Sequence, residues 1–323
     1  MSLAEPTDRL RALPRASLLG APTPIHRLER LEKAIGARGP LFIKRDDAIP
    51  FGFGGNKVRK LELVLAAALG EGADTVITCG GVQSNHCRAT AAAAPRLGLD
   101  CHLVLSGEAP SVLTGNTRLD ELFGARLHFV ADRAARAPTM AALEVKLKAE
   151  GRKPHAIPLG ASTPLGAAGL ALGFFEMLDQ GHRPDVIVHA SSSGGTQGGL
   201  LAGAALSGIR TRVIGISADE SEASLRLLVE DIERGVLALA ESGAELRKAE
   251  VQDSFVGEGY GLPTAASREA QTLLARSEAI VVDHTYTAKA LAGLIALVRD
   301  GSLADGATVL FWHTGGQVGV LAW

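Results

Sequence analysis

Short β-branched runs alternate along this chain with Ala/Leu-rich segments of helical period, and glycine-rich joins follow several of the runs. The β-branched runs predict strands at 41–44, 75–79, 102–106, 127–131, 186–190, 213–217, 280–283 and 308–312. Between them, apolar residues at three- and four-residue spacing predict helices over 56–69, 85–94, 140–150 and 287–298. Such alternation implies an α/β fold of mostly parallel sheets with helices on both faces, because each parallel crossover must carry the chain back over its sheet. Open sheets of this kind bind ligands beyond the carboxyl ends of their strands. The joins are therefore where chemistry is expected. Pro95, in AAAAPRLGL, should end or kink the helix that starts near Asn85.

The first join is Gly54-Gly55-Asn56-Lys57. It sets a lysine just inside a helix start, behind two glycines that let a ligand approach the backbone. Lysine condenses with aldehydes once its pKa is lowered. For a motif this short, a solvated basic turn is the plain alternative. The second join, Gly80 to His86, runs from a strand straight into an apolar helix. Its unpaired N–H groups and positive dipole end suit a carboxylate, although Ser84 or Asn85 could equally be a simple helix cap. His86 reads as structural rather than as a catalytic base.

The third join, Ser191-Ser192-Ser193-Gly194-Gly195-Thr196, again links a strand to an Ala/Gly-rich helix. Small residues let consecutive amides converge on a phosphate. The join lacks the ending of a nucleotide P-loop and the spacing of a dinucleotide fingerprint, so a non-nucleotide phosphate fits better; a tight strand–helix turn stays open. Nearer the C-terminus come Gly257-Glu258-Gly259-Tyr260-Gly261, Asp283-His284-Thr285-Tyr286-Thr287 and His313-Thr314-Gly315-Gly316. The chain has 2 tyrosines, and both fall in such joins, where a core role is the alternative.

Composition narrows the partners. A chain of 323 residues suits about two domains. Its net charge of -2 offers no field for nucleic acid or an anionic membrane. No stretch reaches the roughly 18 uncharged apolar residues of a membrane span, and the N-terminal segment lacks an apolar signal core. Cys79, Cys87 and Cys101 fit neither a disulfide framework nor a zinc site, so no metal is expected and a reducing cytoplasm is.

Taken together, FIKRDD, GGNKVRKLE, GGVQSNHCRATAAAAPRLGL, SSSGGTQGGLLAG, GEGYGLP, TYTAKALAGL and FWHTGG resemble the fold-type II pyridoxal-phosphate enzymes. Within them the match is to the family of D-cysteine desulfhydrase and 1-aminocyclopropane-1-carboxylate deaminase. The segments run in family order from about residue 40 to the end of the chain. The resemblance implies two open, twisted, mostly parallel sheets flanked by helices, as in the tryptophan synthase β subunit. Residues 1–55 with 166–323 would form the large domain and 56–165 the smaller one. It implies pyridoxal 5'-phosphate held as a Schiff base on Lys57. Asn85 would contact its ring hydroxyl, and Ser193, Gly194, Gly195 and Thr196, helped by Lys60, would hold its phosphate. Ser84, Asn85 and His86 would receive a small amino-acid substrate, flanked by Tyr260, Tyr286 and Thr287. A homodimer is also implied.

Two positions separate the branches. The deaminase branch carries a glutamate after the second tyrosine and a leucine before the last glycine pair; this chain has Thr287 and Thr314, hydroxyl residues like those of the desulfhydrase branch. A hydroxyl partner such as Thr314 leaves the pyridine nitrogen neutral, a weaker electron sink suited to expelling a β-substituent. The implied reaction is α,β-elimination, with D-cysteine giving pyruvate, ammonia and sulfide and with Lys57 or a tyrosine taking the α-proton. The alternatives are L-cysteate sulfo-lyase, for which His86 or Arg88 could supply a cation, and the cyclopropane deaminase. More distant ones are a β-replacing synthase and a non-catalytic carrier. Phe51-Gly52-Phe53 departs from the desulfhydrase pattern beside Lys57.

Overall fold

The computed structural model describes residues 5–322. Its strands are β1 (Ile25–Arg27), β2 (Leu41–Arg45), β3 (Thr75–Gly81), β4 (Asp100–Ser106), β5 (Arg126–Val130), β6 (Pro154–Ala156), β7 (Val186–Ser191), β8 (Arg212–Ser217), β9 (Glu250–Gln252) and β10 (Val309–His313). They form a six-stranded sheet in the order β1-β2-β10-β7-β8-β9 and a four-stranded sheet in the order β5-β4-β3-β6. Every pairing is parallel except β1 with β2. The two mostly parallel sheets flanked by helices are those the sequence implies.

Parallel strands need apolar cover on both sides, and the larger sheet has it. One face packs on the helices Pro164–Asp179, Gly195–Leu206 and Glu222–Leu239 through Phe174, Leu200, Val229 and Trp312. The other packs on Thr287–Arg299 and Ala265–Glu278 through Leu291, Ile295 and Leu274. Under the smaller sheet lie Lys57–Gly70 and Asn85–Arg96, with Leu61, Leu65 and the alanines of Asn85–Arg96 buried. Each fully buried Leu or Phe contributes about 1.5–3 kcal/mol. At Gly169 a Cβ would strike the Arg59 carbonyl, so glycine there lets the Pro164–Asp179 helix lie against the helix that begins with Lys57. Close helix packing thus fixes where Lys57 points.

A buried ion network bolts the same region. Asp46, at the end of β2, accepts from Arg59 (2.8–3.0 Å), the Trp312 indole (2.8 Å) and Thr23 (3.0 Å). Glu176 takes Arg59 at 2.8 Å and Lys44 at 2.5 Å. These two cations hold its carboxyl down at about 2 against the upward push of its burial.

Two expectations need correction. Residues 280–283 are not a strand. Side chains satisfy this backbone: Gln271 donates to the Val282 carbonyl (2.6 Å) and His313 contacts the Val281 carbonyl (2.9 Å). The β-branched run serves burial, with Val282 fully inside. Conversely β1, β6 and β9 were not expected, since three-residue edge strands carry too little pattern to read. Pro95 lies in the final turn of its helix, which ends at Arg96.

Candidate active site

The joins after β3, β7 and β10 line one cavity of about 800 Å³, together with Asn56, Lys57 and both tyrosines. That size suits a cofactor and a small substrate together.

Lys57 opens its helix, is half-buried, and donates to the side-chain Oδ1 of Asn56 at 3.3 Å. Asn56 in turn donates to Thr196 at 2.8 Å, which ties the lysine to the start of the Gly195–Leu206 helix. Burial, and next the charge of Arg88, pull the Lys57 amine down to about 8 despite an opposing effect of Asp283. A substantial fraction of the amine is therefore neutral and nucleophilic at mildly alkaline pH.

The Gly195–Leu206 helix begins behind Gly194, which is left-handed at φ 74°. Its first N–H groups lack intrahelical partners and form a positive dipole end. Beneath them Lys60, fully buried, reaches only neutral oxygens, Ser162 Oγ at 3.0 Å and the Gly160 carbonyl at 3.2 Å. Ser162 also contacts Ser193 Oγ at 2.7 Å, and Ser191 Oγ is buried without a partner. A buried ammonium without a carboxylate partner, under a helix start, calls for an anion. Without one, burial and the charge of Lys57 push the Lys60 amine well below its ordinary range.

Across the cavity, Ser84 caps Asn85–Arg96 by accepting from Cys87 N at 3.2 Å. The cap reading of this join holds, and its side chains also line the cavity. Asn85 accepts from Asn116 through Oδ1 (3.0 Å), leaving its amide nitrogen as the free donor. His86 is neutral. The Thr78 hydroxyl gives its proton to the Ile157 carbonyl (2.8 Å), so at 2.8 Å it accepts from His86 Nε2, and His86 Nδ1 is a buried acceptor without a partner. Burial and the charges of Lys57 and Lys60 keep the imidazole well below its usual range.

Tyr260 and Tyr286 meet hydroxyl to hydroxyl at 2.5 Å with their rings nearly perpendicular. Burial pushes Tyr260 up to about 12 and Tyr286 well above the usual phenol range, so both stay protonated. Two residues that lie within the sequence motifs, but to which no role was given there, position them. Asp283 accepts from the amides of Thr285, Tyr286 and Thr287 (2.9–3.0 Å), and Lys289 grips the carbonyls of Val256 and Gly259 (2.8 and 2.9 Å).

Lys57, Ser84, Asn85, His86, Ser193, Gly194, Thr196, Tyr260, Tyr286 and Thr314 all border the cavity, with Lys60 and Gly195 just behind its wall. Thr287 does not border it. It is fully buried, and its hydroxyl is spent on Asp283 (2.7 Å) and the Gly315 carbonyl (3.4 Å). Arg88 is not a substrate cation either: it points away, holding the carbonyls of Gly52 and Gly54 and the side chain of Asn116. It clamps a strained loop, since Phe53 has a positive φ of 63° and Gly52 one of 54°. Phe53 is exposed and borders no part of the cavity. Sequence reasoning missed Asn116, a buried hub that bonds Arg88, Asn85 and the Gln83 carbonyl (2.9 Å). A lone asparagine in a polar helix gives no signal of that.

The family described as "Pyridoxal-phosphate dependent enzyme" matches residues 16–315. D-cysteine desulfhydrases from Salmonella typhi and from Salmonella newport are each 38% identical over 331 residues, covering 98% of this chain and 98% of theirs. The crystal structure of an ACC deaminase homologue superposes with a TM-score of 0.92 at 35% identity, over 99% of this chain and 97% of that one. A pyridoxal 5'-phosphate-dependent aspartate racemase, 18% identical with a TM-score of 0.71, covers 97% of this chain and 95% of its own and shares the fold.

Proposed function

From the premise that this chain belongs to the pyridoxal-phosphate dependent enzymes, we propose that it is a carbon–sulfur lyase that eliminates the β-substituent of a small amino acid. D-cysteine is the reference substrate: with one water it gives pyruvate, ammonia and hydrogen sulfide. The observation that carries this reading is Lys57, a cavity-lining amine lowered to about 8 between the Gly195–Leu206 helix start with Lys60 and the Asn85–Arg96 helix start.

The residues fit the cofactor. Lys60, whose charge has no carboxylate partner among the described residues, and Ser191, whose buried hydroxyl has no partner there, are the groups that a phosphate would complete at the Gly195–Leu206 helix start. Lys57 would anchor the aldehyde, Asn85 would offer its free amide nitrogen to the ring hydroxyl, and Thr314, whose hydroxyl has no partner among the described residues, would face the ring nitrogen. When bound, pyridoxal phosphate supplies an electron sink for the pair left at the α-carbon.

The protein's own groups do the rest. The Asn85–Arg96 helix start receives the substrate carboxylate, with Ser84 beside it. The Lys57 amine, free and neutral once the substrate's own amine has taken its place, takes the α-proton. The tyrosine pair is the poorer base, because burial holds both phenols above their usual range. One of them instead donates toward the departing sulfur.

The same reading extends to the architecture and setting. Residues 56–165 act as a domain against the rest, supported by a smaller sheet built only from strands within 75–156. A homodimer belongs to the same reading, to be checked by light scattering. The three free buried cysteines support residence in the cytoplasm; no helix among the described residues is long and apolar enough to cross a membrane.

The test is product release from D-cysteine, L-cysteine, β-chloro-D-alanine, L-cysteate and 1-aminocyclopropane-1-carboxylate. Pyruvate with sulfide from D-cysteine supports the reading. Turnover of the cyclopropane substrate alone would replace it with deamination.

A further inference from the structure

Three cations besides Lys57 and Lys60 lie near the substrate side of the cavity: Arg88, Arg133 and Arg136. Arg88 turns away, as described. Arg133 is neutralised, paired with Asp219 at 3.0 Å and Glu220 at 3.7 Å while lying over the Tyr260 ring. Arg136 is different. It borders the cavity and is 9% exposed, and no carboxylate among the described residues pairs with it. Its hydrogen-bond partner is the neutral hydroxyl of Ser106, at 2.9 Å from Nε.

This placement has no structural rationale of its own. Arg136 is the first residue of the Arg136–Ala149 helix, where a cation opposes the helix dipole. A buried guanidinium held by one hydroxyl has donors to spare. The cavity's acidic residues do not supply the missing charge: Asp219 and Glu220 serve Arg133, and Glu144 makes its ion pair with Lys148. The space in front of Arg136 is kept open by Gly81, where a Cβ would lie 3.9 Å from the guanidinium and 3.4 Å from the Tyr260 ring. Arg136, the tyrosine pair and the end of β3 therefore share one corner.

We propose that Arg136 is a specificity-determining residue that receives the substrate's β-substituent as an anion, so that the enzyme selects amino acids whose β-group is a thiolate or a sulfonate over those whose β-group is neutral. The proposal rests on the β-elimination reading and deepens it. A thiolate or sulfonate carries its charge before the Cβ–S bond breaks, so the guanidinium binds it from the start, whereas chlorine gains charge only as it leaves. When the Cβ–S bond breaks, its electron pair stays on sulfur, a neighbouring phenol gives that sulfur a proton, and Lys57, which holds the α-proton, reprotonates the phenol.

The test uses the holoenzyme and Arg136→Gln, which retains a donor for Ser106. The ratio of kcat/KM for cysteine and cysteate to that for β-chloroalanine should fall roughly 10- to 100-fold, the loss of one charge-assisted contact. Arg136→Lys should restore part of it. A uniform loss across all substrates would mean that Arg136 holds the α-carboxylate and would overturn the proposal, as would an unchanged ratio. Calorimetric binding of 3-sulfopropionate against propionate gives a second readout. Neither carries an amine, so neither reacts, and the result stands even if no substrate is turned over. Wild type should prefer the sulfonate about tenfold, a preference that Arg136→Gln removes. Equal binding of the two acids by wild type would also overturn the assignment.

Discussion

Gly195→Ala acts on cofactor binding and on folding by separate routes, so the two are measured separately. Gly195 opens a helix at a φ outside the left-handed region, so alanine meets no backbone strain and gains up to about 1 kcal/mol of helix propensity. Its Cβ, however, would lie 2.6 Å from Lys60 Nζ and 2.6 Å from Ser162 Oγ. Lys60 can give way because it is the far end of a flexible chain, whereas Ser162, whose Cβ would lie at 2.9 Å, must shift near its backbone at a cost that offsets the helix gain. If Lys60 completes the phosphate site, losing that charge-assisted contact costs about 1.5–3 kcal/mol. The dissociation constant for pyridoxal phosphate should then rise roughly 10- to 150-fold. Apoenzyme titrated with the cofactor and followed by visible absorbance gives the constant, and urea unfolding of the same preparation gives the stability. A constant within about threefold of wild type would place the phosphate elsewhere. So would a protein that unfolds more readily yet binds normally when folded.

Lys57→Ala should lower turnover by at least about 10²–10⁴, the worth of a positioned base, with pyruvate release as the assay; a smaller loss would assign the α-proton to another group. Because the neutral Lys57 amine is the active form and its pKa is lowered to about 8, kcat should climb about tenfold per pH unit below that point and level above it. A profile flat from about pH 6.5 to 9 would contradict that role. Asp46→Asn leaves Arg59 buried with Glu176 as its one remaining carboxylate and should destabilise the fold by about 3–5 kcal/mol in denaturant unfolding; a change under about 1 kcal/mol would show the network to be dispensable.

The architecture was legible because strand–helix alternation leaves few topologies, and the glycine joins marked the strand ends that meet at the cavity. What stayed hidden depends on packing. The run at 280–283 has strand composition, but its backbone is satisfied by Gln271 and His313. Arg88 and Thr287 carry suggestive chemistry beside the motifs, yet each is consumed by local bonds, to the Gly52–Gly54 loop and to Asp283 respectively. Arg136 and Asn116 sit in helices whose local sequence carries no signal. Both matter only because the fold buries them next to something that needs their charge or their amide. Short motifs at strand ends can be read from one dimension; partners supplied by distant helices cannot.

The central claim is that Lys57, and not the neighbouring Lys60, carries the cofactor. Borohydride reduction of the holoenzyme, followed by proteolysis and mass spectrometry, tests it in one step. The account predicts a phosphopyridoxyl group on the peptide containing Lys57, at that residue. A reduced adduct on Lys60, or no stable adduct after reduction, would contradict it.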